Sequence, residues 1–296
     1  MFSYREATYP EVEQLMQWAA NEGWNPGLED GAVFHAVDPH GFQLALDGDQ
    51  PVAGVSVIRQ GQTNAGQPFA FLGLYLCLPA YRGKGIGWQV WQNGMAYLGE
   101  CVVGLDGVVA QQDNYRRSGF ELAWRNVRYA GVPKFSPKLD SVNTDNSVTI
   151  RAFTHDDNAA LVNLDAAITG VNRQKYISQW IFTSKHRFTL VLDQHTVAGS
   201  SEISGFGTIR RCQQGHKIGP LFVDDPRQAA TLVKALCQKA QAESIMIDLP
   251  EPNAAAVNLA LELGLEPVFE TARMYKGPAP ECDMARQFAV ASFELG

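Results

Sequence analysis

The stretch from Phe69 to Trp91, FAFLGLYLCLPAYRGKGIGWQVW, leaves few folds open. Ala70 to Leu78 is a mostly apolar run and reads as a buried strand. Pro79 ends it, because proline has no N–H to give to a sheet ladder. Arg82-Gly83-Lys84-Gly85-Ile86-Gly87 comes next. Trp88, Trp91, Met95 and Leu98 then recur at steps of three and four, which predicts a helix. Strand, glycine loop and helix start in that order make an anion cradle. Glycines let backbone N–H groups turn inward at a helix N-terminus, where the macrodipole already favours negative charge.

Two familiar cradles do not fit. A dinucleotide fingerprint needs G-x-G-x-x-G, whereas Gly83-x-Gly85 is followed here by Gly87 and then Trp88. A Walker loop needs Gly-Lys-Ser/Thr, and Lys84 is followed by Gly85. The pattern present is R-x-x-G-x-G, from Arg82 to Gly87, just after a strand closed by Pro79. It resembles the pyrophosphate loop of the GCN5-related N-acetyltransferases (GNAT family), which bind acetyl-CoA there; the bland alternative is a set of glycines that only shapes a tight turn. The resemblance implies an α/β fold of the α+β mixed-sheet kind, with a central, mostly antiparallel sheet flanked by helices. It also implies that acetyl-CoA is held by Arg82, Gly83, Lys84, Gly85, Ile86, Gly87 and Trp88, and by strand backbone at Tyr75, Leu76 and Cys77.

Residues 2 to 8 read as a strand, and a helix from about Pro10 puts Val12, Leu15, Met16 and Ala19 on one face. Gly23 to Gly27 is turn-rich, and Phe42–Leu46 pairs with Val52–Arg59 across Asp47-Gly48-Asp49. Cys101 to Val109 reads as a strand beside the first. A short helix then holds Tyr115, and Gly119-Phe120 opens a last strand pair through Tyr129. Gly131 to Ser147 is polar and turn-forming, a linker, and the residues beyond Ser147 repeat the first half. A shift of about 145 pairs Gly119 with Gly264, Glu121 with Glu266 and Arg128 with Arg273. With one residue of slippage, Arg5 pairs with Arg151 and Thr8 with Thr154. These pairings predict two tandem domains at 1–133 and 148–278, a linker at 134–147 and a tail at 279–296. The second domain is degenerate. Gly83, Gly85 and Gly87 fall on Gln228, Ala230 and Leu232, and Tyr115 falls on Ala260. The second domain is expected to pack on the first.

A chain of 296 residues suits two domains. Its net charge of −7, with no basic stretch interleaved with aromatics, argues against a nucleic-acid partner. No apolar run is long enough to span a bilayer, and the N-terminus lacks a signal-peptide layout. Five cysteines without C-x-x-C spacing and six histidines without H-E-x-x-H point to neither disulfides nor a metal. A reducing cytoplasm is expected, and the sequence is silent on oligomeric state.

In the family it resembles, an amine attacks the thioester directly, and a tyrosine four residues before a Gly-Phe protonates the departing thiolate. Tyr115, Gly119 and Phe120 match that spacing. Such relatives often carry an asparagine seven residues before the tyrosine. Val108 stands there, its counterpart in the second half is Asn253, and Gln111 or Gln112 could substitute. Trp24 and Asn25, in NEGWNPG, lie where such folds border the acceptor. Asp30 and Asp106 are further acceptor-side candidates, and Glu22, Asp165 and Glu202 complete the possible bases. The expected activity is acetyl transfer to the amine of a small molecule. A non-catalytic acyl-CoA-binding or sensing protein, and a peptide or protein N-acetyltransferase, are the alternatives.

Overall fold

The computed structural model describes residues 1–135, 148–195 and 201–296, so the expected linker falls almost wholly outside the described residues. In the first half, β1 (Phe2–Glu6), β2 (Phe42–Asp47), β3 (Gln50–Thr63) and β4 (Pro68–Cys77) form an antiparallel ladder. β5 (Val102–Val108) lies parallel to β4. The alternation of side chains along β4 divides the two cores. Leu74 and Leu76 pack on the side of α1 (Tyr9–Asn21) and α2 (Asp30–Val37). Tyr75 and Cys77 pack on the side of α3 (Ile86–Leu98). The sequence does not announce α2, because it is short and buries most of its surface, Asp30 included, so no polar face marks its period.

The second half keeps the same order. β7 (Val148–Ala152), α5 (Asn158–Thr169), β8 (Val171–Asn172) and α6 (Gln174–Trp180) come first. β9 (Arg187–His195), β10 (Ser201–Arg211), β11 (His216–Phe222), α7 (Pro226–Ala240), β12 (Ile245–Pro250) and α8 (Ala254–Glu262) come after them. The repeat extends to individual bonds. Glu11 closes a capping box on Thr8 and accepts hydrogen bonds from both terminal guanidinium nitrogens of Arg5 at 2.9 and 2.7 Å. Asp157 does the same with Thr154 and Arg151, at 2.7 and 2.8 Å.

The two sheets are one. β6 (Glu121–Gly131) succeeds α4 (Gln112–Arg117), and β13 (Glu266–Lys276) succeeds α8. The strand order is β1-β2-β3-β4-β5-β13-β6-β12-β11-β10-β9-β7, so each half's closing strand sits against the other half. This corrects the expected strand pair through Tyr129: the segment is the single strand β6, with β13 on one side and β12 on the other. The exchange is pinned by matching ion pairs. Arg128 of β6 stands opposite Asp248 of β12 and donates to it at 2.6 and 2.8 Å. Arg273 of β13 stands opposite Asp106 of β5 and donates at 2.9 and 2.6 Å. All four side chains are buried, so each charge depends on its partner to remain in the core.

Candidate active site

β4 and β5 pair only from Phe69↔Val102 to Leu72↔Leu105 and then separate. Beyond Leu72, two residues of β4, Leu74 and Tyr75, oppose the single residue Val55 of β3. Leu74 holds φ at +46°, a backbone conformation uncommon for leucine. Such bulges bend a strand and leave a backbone group unpaired, here on the wall of the V between β4 and β5.

The cradle lies at the open end of the V. Gly83 and Gly85 have φ of +76° and +77°, and a Cβ at either would meet no atom within 4 Å. They are glycines for the backbone turn they make, and the space above them is clear. Gly85 caps α3, and among the described residues no protein group accepts from the backbone N–H groups of residues 83–88. That is the donor set a pyrophosphate needs. Arg82 is tied back by its Nε to the Cys77 carbonyl at 2.8 Å and by an ion pair with Glu22 at 2.7 Å. The second half has no such cradle. α7 begins earlier, and the Asp225 carboxylate itself accepts from the Arg227 N–H at 2.7 Å, placing a negative charge at the helix start.

A cavity of about 480 Å³ fills the V. Its walls include Tyr75, Leu76, Cys77, Arg82, Gly83, Gly85, Gly87 and Trp88, whereas Lys84 and Ile86 are not on them. The Lys84 ammonium lies over the Tyr81 ring, and Ile86 is buried in the core. Tyr115 reaches the cavity from α4, held by stacking on Trp91 at 5.7 Å, and its hydroxyl has no hydrogen-bond partner among the described residues. Burial, and Tyr75 after it, raises the Tyr115 hydroxyl well above the usual tyrosine range. Burial also raises the Tyr75 hydroxyl and the Cys77 thiol, the latter opposed by Arg82.

The acceptor-side candidates separate. Trp24 lines the cavity, its carbonyl fixed by Arg128 at 2.8 Å and Lys217 at 2.9 Å. Asn25 does not; its amide instead donates to the Gln214 carbonyl at 2.8 Å. Asp30 is also off the wall, fully buried beneath Arg187, Arg210 and the Gly27 N–H. Asp106 lines the cavity, but both its oxygens are taken by Arg273 and one also by Asn126. Burial pushes the Asp106 carboxyl up, against the pull of Arg273. Of the other carboxylates, Glu22 lines the cavity, Asp165 is bound to Arg173, and Glu202 is exposed. Gln111 lines the cavity where an asparagine was expected near Val108.

Arg128, Phe269, Thr271, Phe293 and Glu294 also line it, and sequence reasoning placed none of them there. They reach the site through the strand exchange and through the segment after β13, whose contacts across the chain no local pattern gives. That segment carries β14 (Gln287–Ala289), which pairs with β11, and Val290 then donates to the Asp248 carbonyl on β12 at 2.8 Å. It fills the V of the second half. Asn253 gives its amide to the Gln287 carbonyl at 2.9 Å, so the asparagine that this half retains holds its own chain.

Residues 3–120 match the acetyltransferase (GNAT) family, and residues 161–289 match an acetyltransferase (GNAT) domain. The chain is 31% identical over 293 residues to a holothin acyltransferase of a Pseudoalteromonas species, covering 99% of this chain and 94% of that protein. A Pyrococcus horikoshii structure assigned as an acetyltransferase superposes with a TM-score of 0.78 at 21% identity, covering 100% of this chain and 96% of that one. A tandem GNAT protein from the clavulanic acid biosynthesis pathway superposes with a TM-score of 0.65 at 13% identity, covering 94% and 99%. With the cradle in one half and its altered copy in the other, the chain belongs to the GNAT family, as an acyltransferase with two such domains in tandem.

Proposed function

We propose that the first half transfers the acetyl group of acetyl-CoA directly to the amine of a small molecule, with Tyr115 as hydrogen-bond donor to the departing thiolate. The observation that carries this reading is one cavity holding both the unpartnered N–H groups of the glycine loop and the free hydroxyl of Tyr115. The loop backbone would hold the pyrophosphate, and the unpaired β4 backbone around Leu74 would hold the pantetheine arm and the thioester oxygen. The apex of the V favours a short acyl group, because a Cβ at Gly73 would already collide with the Glu294 carbonyl oxygen. A cavity of about 480 Å³, walled by both halves, suits a compact acceptor better than a peptide. The five thiols are all free, which suits a reducing cytoplasm.

A thiol of pKa about 8.5 and a tyrosine of about 10 make full proton transfer uphill by roughly 2 kcal/mol. Burial raises Tyr115 further, so it donates a hydrogen bond as charge develops and completes the transfer late. The test is a panel of amines, holothin among them, followed by release of CoA thiol. Tyr115→Phe is expected to lower kcat on the order of a hundredfold or more, with acetyl-CoA affinity kept. A panel in which no amine supports thiol release, although acetyl-CoA binds, would favour a binding or sensing role instead.

A further inference from the structure

The cavity holds one carboxylate that nothing else uses. Glu294 is 3% exposed, lines the cavity, and has no hydrogen bond or ion pair to its side chain among the described residues; its Oε2 is buried without a partner. Every other buried carboxylate near the site is engaged: Asp106 by Arg273 and Asn126, Asp248 by Arg128, and Asp30 by Arg187 and Arg210. A buried oxygen left unpaired costs free energy of desolvation unless something visits it.

Its place in the cavity is specific. The Glu294 backbone packs on Gly73, the first β4 residue beyond the last β4–β5 pair and the neighbour of the Leu74 bulge. Ala291 and Leu295 of the same segment belong to the core on the α1 and α2 side, together with Leu74 and Leu76. Tyr115 belongs to the core on the α3 side. Glu294 therefore comes to the apex from the face opposite Tyr115. Trp24, Phe269 and Phe293 line the same cavity and give it flat, apolar side chains, with the Arg128 guanidinium over the two phenylalanine rings. The charged groups whose fields reach it are Arg128 on β6, Arg210 on β10 and Lys217 on β11. Each has a hydrogen bond elsewhere, and none forms an ion pair with Glu294 among the described residues.

We propose that Glu294 holds the acceptor amine and takes its proton, and that the acceptor is a primary amine carried on a flat, apolar body. This rests on the N-acetyl transfer proposed above. As the C–N bond forms and the C–S bond breaks, one N–H proton passes to the Glu294 carboxylate and one proton from Tyr115 goes with the thiolate. Glu294 then releases its proton to solvent and Tyr115 regains one, so product amide and free thiol balance the equation.

Glu294→Gln keeps the shape and removes the base. With wild-type acetyl-CoA affinity by calorimetry as the control for folding, kcat/KM for the amine is expected to fall on the order of a hundredfold. The acid limb of its pH profile should flatten, and Glu294→Asp should recover part of the loss. Equal kcat/KM and an unchanged profile in Glu294→Gln would overturn the proposal while leaving N-acetyl transfer intact. A binding arm reads Glu294 without turnover: the same amines are titrated into the desulfo-CoA complexes of wild type and Glu294→Gln. At least tenfold weaker binding in the variant supports the assignment even if no transfer is seen, which would count against the enzyme reading alone. Equal affinity, or no amine bound by wild type, removes it. Should Glu294→Gln fail to bind acetyl-CoA, Glu294→Asp decides by the same two readings.

Discussion

At the scale of residues, the duplication is clearest in the two capping boxes. Arg5 is the first cause that holds the Glu11 carboxyl down at about 2, and Arg151 does the same to Asp157, also at about 2. Both folded values lie below the unfolded ones. Their stabilisation is therefore present above the usual carboxylate range and is lost as pH falls through the folded values, between about pH 5 and pH 2. Urea melts across that window should lose stability steadily, and the double variant Glu11→Gln, Asp157→Asn should show a shallower slope. An unchanged slope would mean that these boxes are already broken in solution. Arg5 and Arg151, and Thr8 and Thr154, were legible as pairs because each sits in a short local motif. Glu294 was not: apart from Phe293, the residues that share its site come from distant parts of the chain, and only the fold gives this carboxylate its environment.

At the scale of elements, the glycine loop and its helix were legible for a related reason. A strand stop, glycines and a 3.6-residue period fall within about two dozen consecutive residues, and local chemistry decides them. α2 was missed because what defines it is contact across the chain rather than period. The contrast between the two helix starts yields a prediction. Gly85 holds φ at +77°, which costs a residue with a Cβ about 1–2 kcal/mol. Gly85→Val should therefore push the loop out of its cradle geometry, weakening acetyl-CoA binding by roughly tenfold or more and lowering the melting temperature by only a few degrees. Calorimetry on the wild type should give one site per chain, because Asp225 and β14 occupy the corresponding places in the second half. Two equivalent sites, or an indifferent Gly85→Val, would contradict the role given to the loop.

At the scale of the whole molecule, we infer that 1–133 and 148–278 are the repeated units, yet neither contains all the strands of its own sheet. Cut out alone, residues 1–133 leave β5 without β13 and β6 without either neighbour. That fragment is expected to lack a cooperative melt and to bind no acetyl-CoA, while co-expression with 148–296 restores both. Cooperative unfolding of 1–133 as a monomer with full affinity would show that the exchange is dispensable. The exchange also bears on inheritance. Duplication ordinarily frees one copy to drift, since the other covers for it. Here the copy without the cradle supplies Phe269 and Thr271 to the cavity of the other and Arg273 to its buried Asp106, and the tail that follows it supplies Glu294. A mutation in the second half is thus read out in the cavity of the first. Neither copy can be discarded, and recombination that replaced one half with a relative's would have to bring matching strands with it.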